Sequence, residues 1–192
     1  MDIYQQLKGA IGQELGELYM RKVRGFEIVG REVGVPEIRR QAKLDAVVRD
    51  GATYRPVEIK LQKYDLETFG KAFEYVVDRL ANGNDVSAEL NGGQQVQLRK
   101  PLLLLWWPPA AGVVGNEDRM ARYRAAEVEA IQLGEALTEL CEMIGARDLV
   151  VERIVRALSG RVRQFFEHED LGLPGIVADR WTEFIAGLGQ GE

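Results

Sequence analysis

Residues 44–60 decide the fold: Leu44-Asp45-Ala46-Val47-Val48-Arg49-Asp50-Gly51, then, after Ala52 and Thr53, Tyr54-Arg55-Pro56-Val57-Glu58-Ile59-Lys60. Leu44 to Arg49 and Tyr54 to Leu61 are rich in β-branched and apolar residues, and Asp50-Gly51 between them is a hairpin turn signal. Successive strand residues point to opposite faces, so Glu58 and Lys60, two apart, leave the same face. The hairpin folds their strand back beside Asp45. One acid from each strand, with a lysine next to them, is expected to converge on one point.

Asp45 and Glu58 are flanked by Leu44, Ala46, Val57 and Ile59, which predicts that both strands are substantially buried. A buried carboxylate is costly unless a partner or a metal answers it. Two carboxylates suit a hard cation such as Mg²⁺ or Mn²⁺, with the Ile59 carbonyl as a further oxygen ligand. A cation held there polarises a phosphoryl oxygen and activates a water, while Lys60 positions that water or offsets developing negative charge. Phosphodiester hydrolysis needs this chemistry. The ordinary alternative is a solvated ion pair on a strand face.

Outward from this hairpin, Ile3, Leu7, Ile11, Leu15 and Leu18 recur at helical spacing, which predicts a helix from Ile3 to about Val23, broken by Gly25. Glu14 lies within that apolar stripe and Glu17 nearer its edge. Phe26 to Val35 reads as a first strand, followed by a basic stretch holding Arg39, Arg40 and Lys43. After Lys60, Asp65 or Thr68 is placed to cap a helix carrying Leu66, Phe69, Phe73, Val76, Val77 and Leu80. Gln95 to Leu98 follows a Gly92-Gly93 turn. Leu102 to Trp107 is a continuous apolar run suited to a strand buried on both faces. The rest reads as helical: Glu117 to Ile144 closed by Gly145, then Asp148 to about Phe166, then a helix opened by Pro174. Residues 1–110 form the expected core and 117–192 a helical extension.

At 192 residues and 46% hydrophobic composition the chain can bury a sizeable core, which excludes a disordered protein. Its longest apolar stretch, Pro101 to Ala111, is short and proline-interrupted, so no membrane span is expected. The sequence MDIYQQLKGA shows neither a basic leader nor an apolar signal region. Cys141 is the only cysteine, which excludes an intramolecular disulfide and a cysteine-based zinc site and fits a reducing cytoplasm. The net charge of −5 is unevenly spread: residues 1–63 hold 12 basic against 9 acidic side chains, and residues 64–192 hold 13 against 21. A basic first third is suited to phosphates.

The layout of Asp45, the glycine-containing turn and Glu58-Ile59-Lys60 resembles the PD-(D/E)xK nuclease superfamily, and within it the archaeal-type Holliday junction resolvases most. The resemblance covers roughly residues 8–80. It implies an α/β fold with a restriction-endonuclease-like αβββαβ core and mixed sheet, Mg²⁺ or Mn²⁺ dependence, and a nucleic-acid substrate, with DNA preferred. It also implies that Glu14 is the helical acid that supports the metal site. Leu44 stands where the family's proline often stands. The helix after Lys60 carries Lys71-x-x-x-Tyr75 in place of the Gln-x-x-x-Tyr of the RecB-like exonuclease branch, which argues against that branch.

The expected function is therefore a metal-dependent nuclease, an endonuclease by preference, that hydrolyses DNA with a metal-activated water. Asp45, Glu58, Lys60 and Glu14 are its expected catalytic set; Asp45, Glu58 and Ile59 are the expected metal ligands. Gln62, Lys63, Lys71, Arg39, Arg40 and Lys43 are the expected nucleic-acid contacts, each weighed against a plain surface charge. Trp106 and Trp107 suit packing better than base stacking, and His168, the single histidine, sits among acids at a helix end. The apolar faces of the C-terminal helices predict a homodimer or a place in a larger complex. The alternative is a catalytically inactive nuclease-fold subunit in nucleic-acid binding or assembly.

Overall fold

A computed structural model describes residues 3–38, 42–60, 70–105 and 117–132, with single residues 136, 139, 140, 142, 143, 149 and 153. Its elements run α1 (Ile3–Lys22), β1 (Glu27–Gly34), β2 (Lys43–Asp50), β3 (Thr53–Lys60), α2 (Lys71–Ala81), β4 (Ser87–Glu89), β5 (Gln95–Gln97), β6 (Leu102–Leu105), α3 (Glu117–Ala125) and β7 (Glu129–Gln132). The class is α/β. A mixed five-stranded sheet has the order β1-β2-β3-β6-β7, and β4 and β5 form a separate hairpin.

The β2–β3 pair is antiparallel, as the Asp50-Gly51 turn predicts, and so is β1–β2, whereas β6 runs parallel to both β3 and β7. Gly51 opens the two-residue turn between β2 and β3 at φ 59, a conformation that costs glycine little. Strand β6 consists of four leucines, all buried. Leu102 and Leu104 pack with α1, and Leu103 and Leu105 with α2, which is why the run carries no polar alternation.

Two cores result, one on each face of the sheet. On the first, Leu15, Leu18, Tyr19 and Met20 of α1 cover Ala46, Val48, Val57 and Ile59. At Gly16 the helix backbone comes so close that an added Cβ would stand 3.0 Å from Ile59 Cδ1 and 3.1 Å from Leu104 Cδ2. On the second face, Ala72, Phe73, Val76 and Val77 of α2, with Leu90, Leu98 and Tyr123, cover Val33, Val47, Leu103 and Leu105. Helix α3 docks on α2 through polar groups: Tyr123 donates to Glu74, Arg119 lies 3.1 Å from the same carboxylate, and Arg122 pairs with Asp78.

The structure corrects three expectations. First, α2 starts at Lys71 with Gly70 as its N-cap and no side-chain cap, so a continuous helix capped at Asp65 or Thr68 is excluded; residues 61–69 themselves lie outside the described residues. Second, the expected helix from Glu117 to Ile144 ends at Ala125. Glu127 adopts φ 55 and its N–H donates to Arg124 O, while Val128 N–H donates to Tyr123 O, closing the helix with the bond pair of a Schellman cap. Residues 129–132 then add a parallel strand to the sheet rather than prolonging a helix. Third, β4 lies where no strand is expected.

A polar cluster around the buried Arg55 fixes this late strand. Glu129 accepts from Arg24 at 2.8 Å and from Arg55 at 2.6 Å, and Arg55 also donates to Lys100 O at 2.8 Å. Both guanidinium groups stack near the Phe26 ring, at 5.1 and 5.6 Å from its centre. Burial works to raise the Glu129 pKa, but the two arginines outweigh it and hold the carboxyl below its ordinary value. No helix among the described residues is long and apolar enough to cross a membrane.

Candidate metal centre

The antiparallel register pairs Ala46 with Val57, and one further step sets Asp45 of β2 opposite Glu58 of β3. Val57 and Ile59 point into the α1 core, so Glu58 and Lys60 emerge on the face covered by α2. Lys60 Nζ is ion-paired with Glu58 Oε1 and lies 4.0 Å from Asp45 Oδ2. The expected convergence of Asp45, Glu58 and Lys60 is present.

Their surroundings differ. The Glu58 side chain is 1% exposed, Lys60 24% and Asp45 35%, so the group opens to solvent on the aspartate side. Asp45 Oδ2 accepts the Ile59 N–H at 2.7 Å. Glu58 Oε1 accepts the Gly70 N–H at 2.9 Å, at the start of α2. Glu58 Oε2 is buried and has no hydrogen-bond partner. Such an orphaned buried acceptor is uncommon in folded proteins.

Electrostatics follow from this geometry. Burial, reinforced by the Asp45 charge, pushes Glu58 up to about 7 despite the opposing pull of Lys60 and the Gly70 N–H. Burial also raises Asp45, against the lowering effects of Lys60 and the Ile59 N–H, and Glu32 adds a smaller push upward. For Lys60, burial works downward but the two carboxylates prevail, so its ammonium is held above its ordinary pKa.

Glu14 does not join this group. Its partner is Arg153, at 3.2 Å, on the α1 side of the sheet. Glu17 is buried and bound by Arg31 at 2.7 Å, a structural pair between α1 and β1. Besides Glu58, the acid whose field reaches Asp45 is Glu32. Register partners Arg31–Ala46 and Val33–Leu44 bracket it, setting Glu32 level with Asp45 on the neighbouring strand, and its backbone takes φ 47. Glu32 is exposed and pairs with Lys43 at 3.4 Å. Among the described residues no three or more His, Cys, Asp or Glu side chains converge in a metal-holding group. Among the described residues, Asp45 and Glu58 are the acids that meet at Lys60.

Lys43 is exposed on the wall of a cleft of about 500 Å³ between the β1–β2 end and the β4–β5 turn, which Arg31, Glu32 and Asn91 also line. Lys71 is exposed at the first position of α2, next to Gly70. Arg39, Arg40, Gln62, Lys63, Trp106, Trp107 and His168 lie outside the described residues, as do most of the C-terminal apolar positions. Leu140 is buried in the α1-side core.

No family model, curated protein or solved structure matches this chain.

Proposed function

We propose that this chain is a divalent-metal-dependent nuclease with a PD-(D/E)xK-type centre on a restriction-endonuclease-like fold, acting on DNA. The observation that carries the reading is Glu58 Oε2: a fully buried carboxylate oxygen without a partner, level with Asp45 and beside Lys60. Hard oxygen donors of this kind suit Mg²⁺ or Mn²⁺. Such a cation, when bound, supplies charge neutralisation at the phosphoryl group and an activated water.

The chain's residues take the remaining tasks. Asp45, the most exposed of the three, faces the solvent side from which a phosphodiester arrives. Glu58 anchors the site from below, and Ile59 braces Asp45 through its N–H while its carbonyl is a further oxygen donor. Lys60, held protonated by its two neighbours, places a full positive charge where a phosphorane-like oxygen accumulates negative charge. Lys43 and Lys71 flank the approach as phosphate contacts.

A second reading has one observation in its favour. Lys60 already ion-pairs with Glu58 and stands near Asp45, and Glu14 is engaged elsewhere, which suits an inactive nuclease-fold subunit stabilised by a buried ion group. The test is incubation of the full chain with labelled single-stranded, duplex and branched DNA, and with RNA, in Mg²⁺, Mn²⁺, Ca²⁺ or chelator. Cleavage that requires Mg²⁺ or Mn²⁺ and is lost on Glu58→Gln supports the enzyme. Binding without cleavage in every metal supports the subunit.

A further inference from the structure

We infer that Gly70 is the positioning residue of Glu58: its N–H and its missing side chain commit one carboxylate oxygen to the protein and leave the other bare for the cation. The inference deepens the metal-centre reading above and rests on it. Glu58 Oε1 takes both protein partners, the Gly70 N–H at 2.9 Å and the Lys60 ammonium, while Oε2 takes none. The carboxylate ends directly against the Gly70 Cα. A Cβ at position 70 would stand 2.6 Å from Oε1 and 2.8 Å from Oε2, inside the contact limit for both.

An added Cβ therefore requires the Glu58 carboxylate to shift, and at 1% exposure that shift disturbs either its bond to the Gly70 N–H or the packing between β3 and α2. Backbone conformation is not what calls for glycine here. Gly70 has φ −57 and ψ 127, which any L-residue adopts. Its place as N-cap would ordinarily favour Ser, Thr, Asp or Asn, whose side chains satisfy the first helical N–H groups. Here the cap has no side-chain hydrogen bond, and the N–H of the capping residue serves Glu58 instead. A cap side chain is forgone where the carboxylate needs the room, the pattern of a site that gives up local stability for geometry.

The experiment combines a stability cycle with metal binding, on the full chain. Metal-free melting temperatures are compared for wild type, Gly70→Ala, Glu58→Asp and the double variant, and Mn²⁺ binding to wild type and Gly70→Ala is measured by calorimetry. Aspartate withdraws the carboxylate from position 70, so alanine is expected to lower the melting temperature beside Glu58 and to leave it unchanged beside Asp. Gly70→Ala is expected to weaken Mn²⁺ binding by about tenfold or more, as loss of an outer partner of a metal ligand does. Additive melting temperatures, or Mn²⁺ binding by Gly70→Ala equal to wild type, overturns the inference. Should Gly70→Ala not fold, folding of the double variant supports it and failure of both overturns it. Wild type that binds no Mn²⁺ overturns the metal reading instead, and a non-additive cycle then still identifies Gly70 as what places Glu58.

Discussion

The Ile59 N–H donates to Asp45 Oδ2 at 2.7 Å, so the residue between Glu58 and Lys60 also orients the acid on the neighbouring strand. The side chain of Ile59 meanwhile packs under α1. One residue therefore ties the position of Asp45 to the packing of the opposite face.

Lys60→Ala is expected to lower cleavage by about 100-fold or more, the usual scale for removing a preorganised charge at a developing oxyanion. It also leaves Glu58 and Asp45 facing each other without their shared cation, so the melting temperature falls at pH 8. Glu58→Gln loses cleavage but removes a strained charge, and its melting temperature at pH 8 rises. Parallel cleavage assays and thermal scans check both; equal cleavage by wild type and both variants would sink the catalytic assignment.

The pH dependence has a definite sign. Glu58 binds its proton more tightly folded than unfolded, so its contribution is complete below the ordinary carboxylate pKa and is lost as pH rises through about 7. Metal-free wild type should lose stability between about pH 5 and 7.5 relative to Glu58→Gln, which lacks that proton. Mn²⁺ needs the deprotonated carboxylates, so it should raise the melting temperature more at pH 8 than at pH 6. A Mn²⁺ effect independent of pH would count against Glu58 as a ligand.

Gly16→Val tests the brace from the other side. The added methyl groups would enter space held by Ile59 and Leu104, and overpacking of this kind costs about 1–3 kcal/mol. Because Ile59 carries Asp45, cleavage per folded molecule should fall as well. Urea titration and single-turnover assays separate the two effects; a stability loss with wild-type cleavage would show that the sheet absorbs the strain without moving the site.

Glu129→Ala leaves Arg55 buried with one fewer acceptor and removes the carboxylate partner of Arg24. Leaving such a donor unanswered costs about 1–3 kcal/mol, readable as a lower urea midpoint. Because the wild-type Glu129 carboxyl is held below its ordinary value, its contribution is present at neutral pH and is lost on acidification. The gap between wild type and variant should therefore close as pH falls below about 4.

The parts of the site legible in the sequence are those set by short-range rules. Asp50-Gly51 gives the turn, the turn gives the register, and the register sets Asp45 opposite Glu58. The leucines of β6 announce a strand buried on both faces because nothing polar interrupts them. What escaped has a physical reason in each case. Glu32 stands level with Asp45 only after an irregularity between Ile28 and Gly30 shifts the β1 register, and no pattern of residue types reports that shift. Gly70 caps a helix without cap chemistry. Strand β7 follows a left-handed turn built on Glu127, where glycine or asparagine would have signalled a stop. Glu14 shows the opposite failure: an acid within an apolar stripe, together with the family resemblance, made it look like a site residue, and only the tertiary structure reveals Arg153 as its partner.

Strand β7 has a consequence for synthesis. Glu129 reaches back 74 residues to Arg55 and 105 to Arg24. A chain leaving the ribosome in order presents both hairpins of the sheet, and then the four-leucine strand, well before the segment that covers its outer edge. During that interval the edge of β6 offers open backbone pairing on an apolar strand, the kind of surface that chaperones capture and that neighbouring nascent chains adhere to. Polysomes crowded with this message would bring such edges together, so the yield of native protein should depend on translation rate and on the supply of chaperone as much as on the stability of the finished fold.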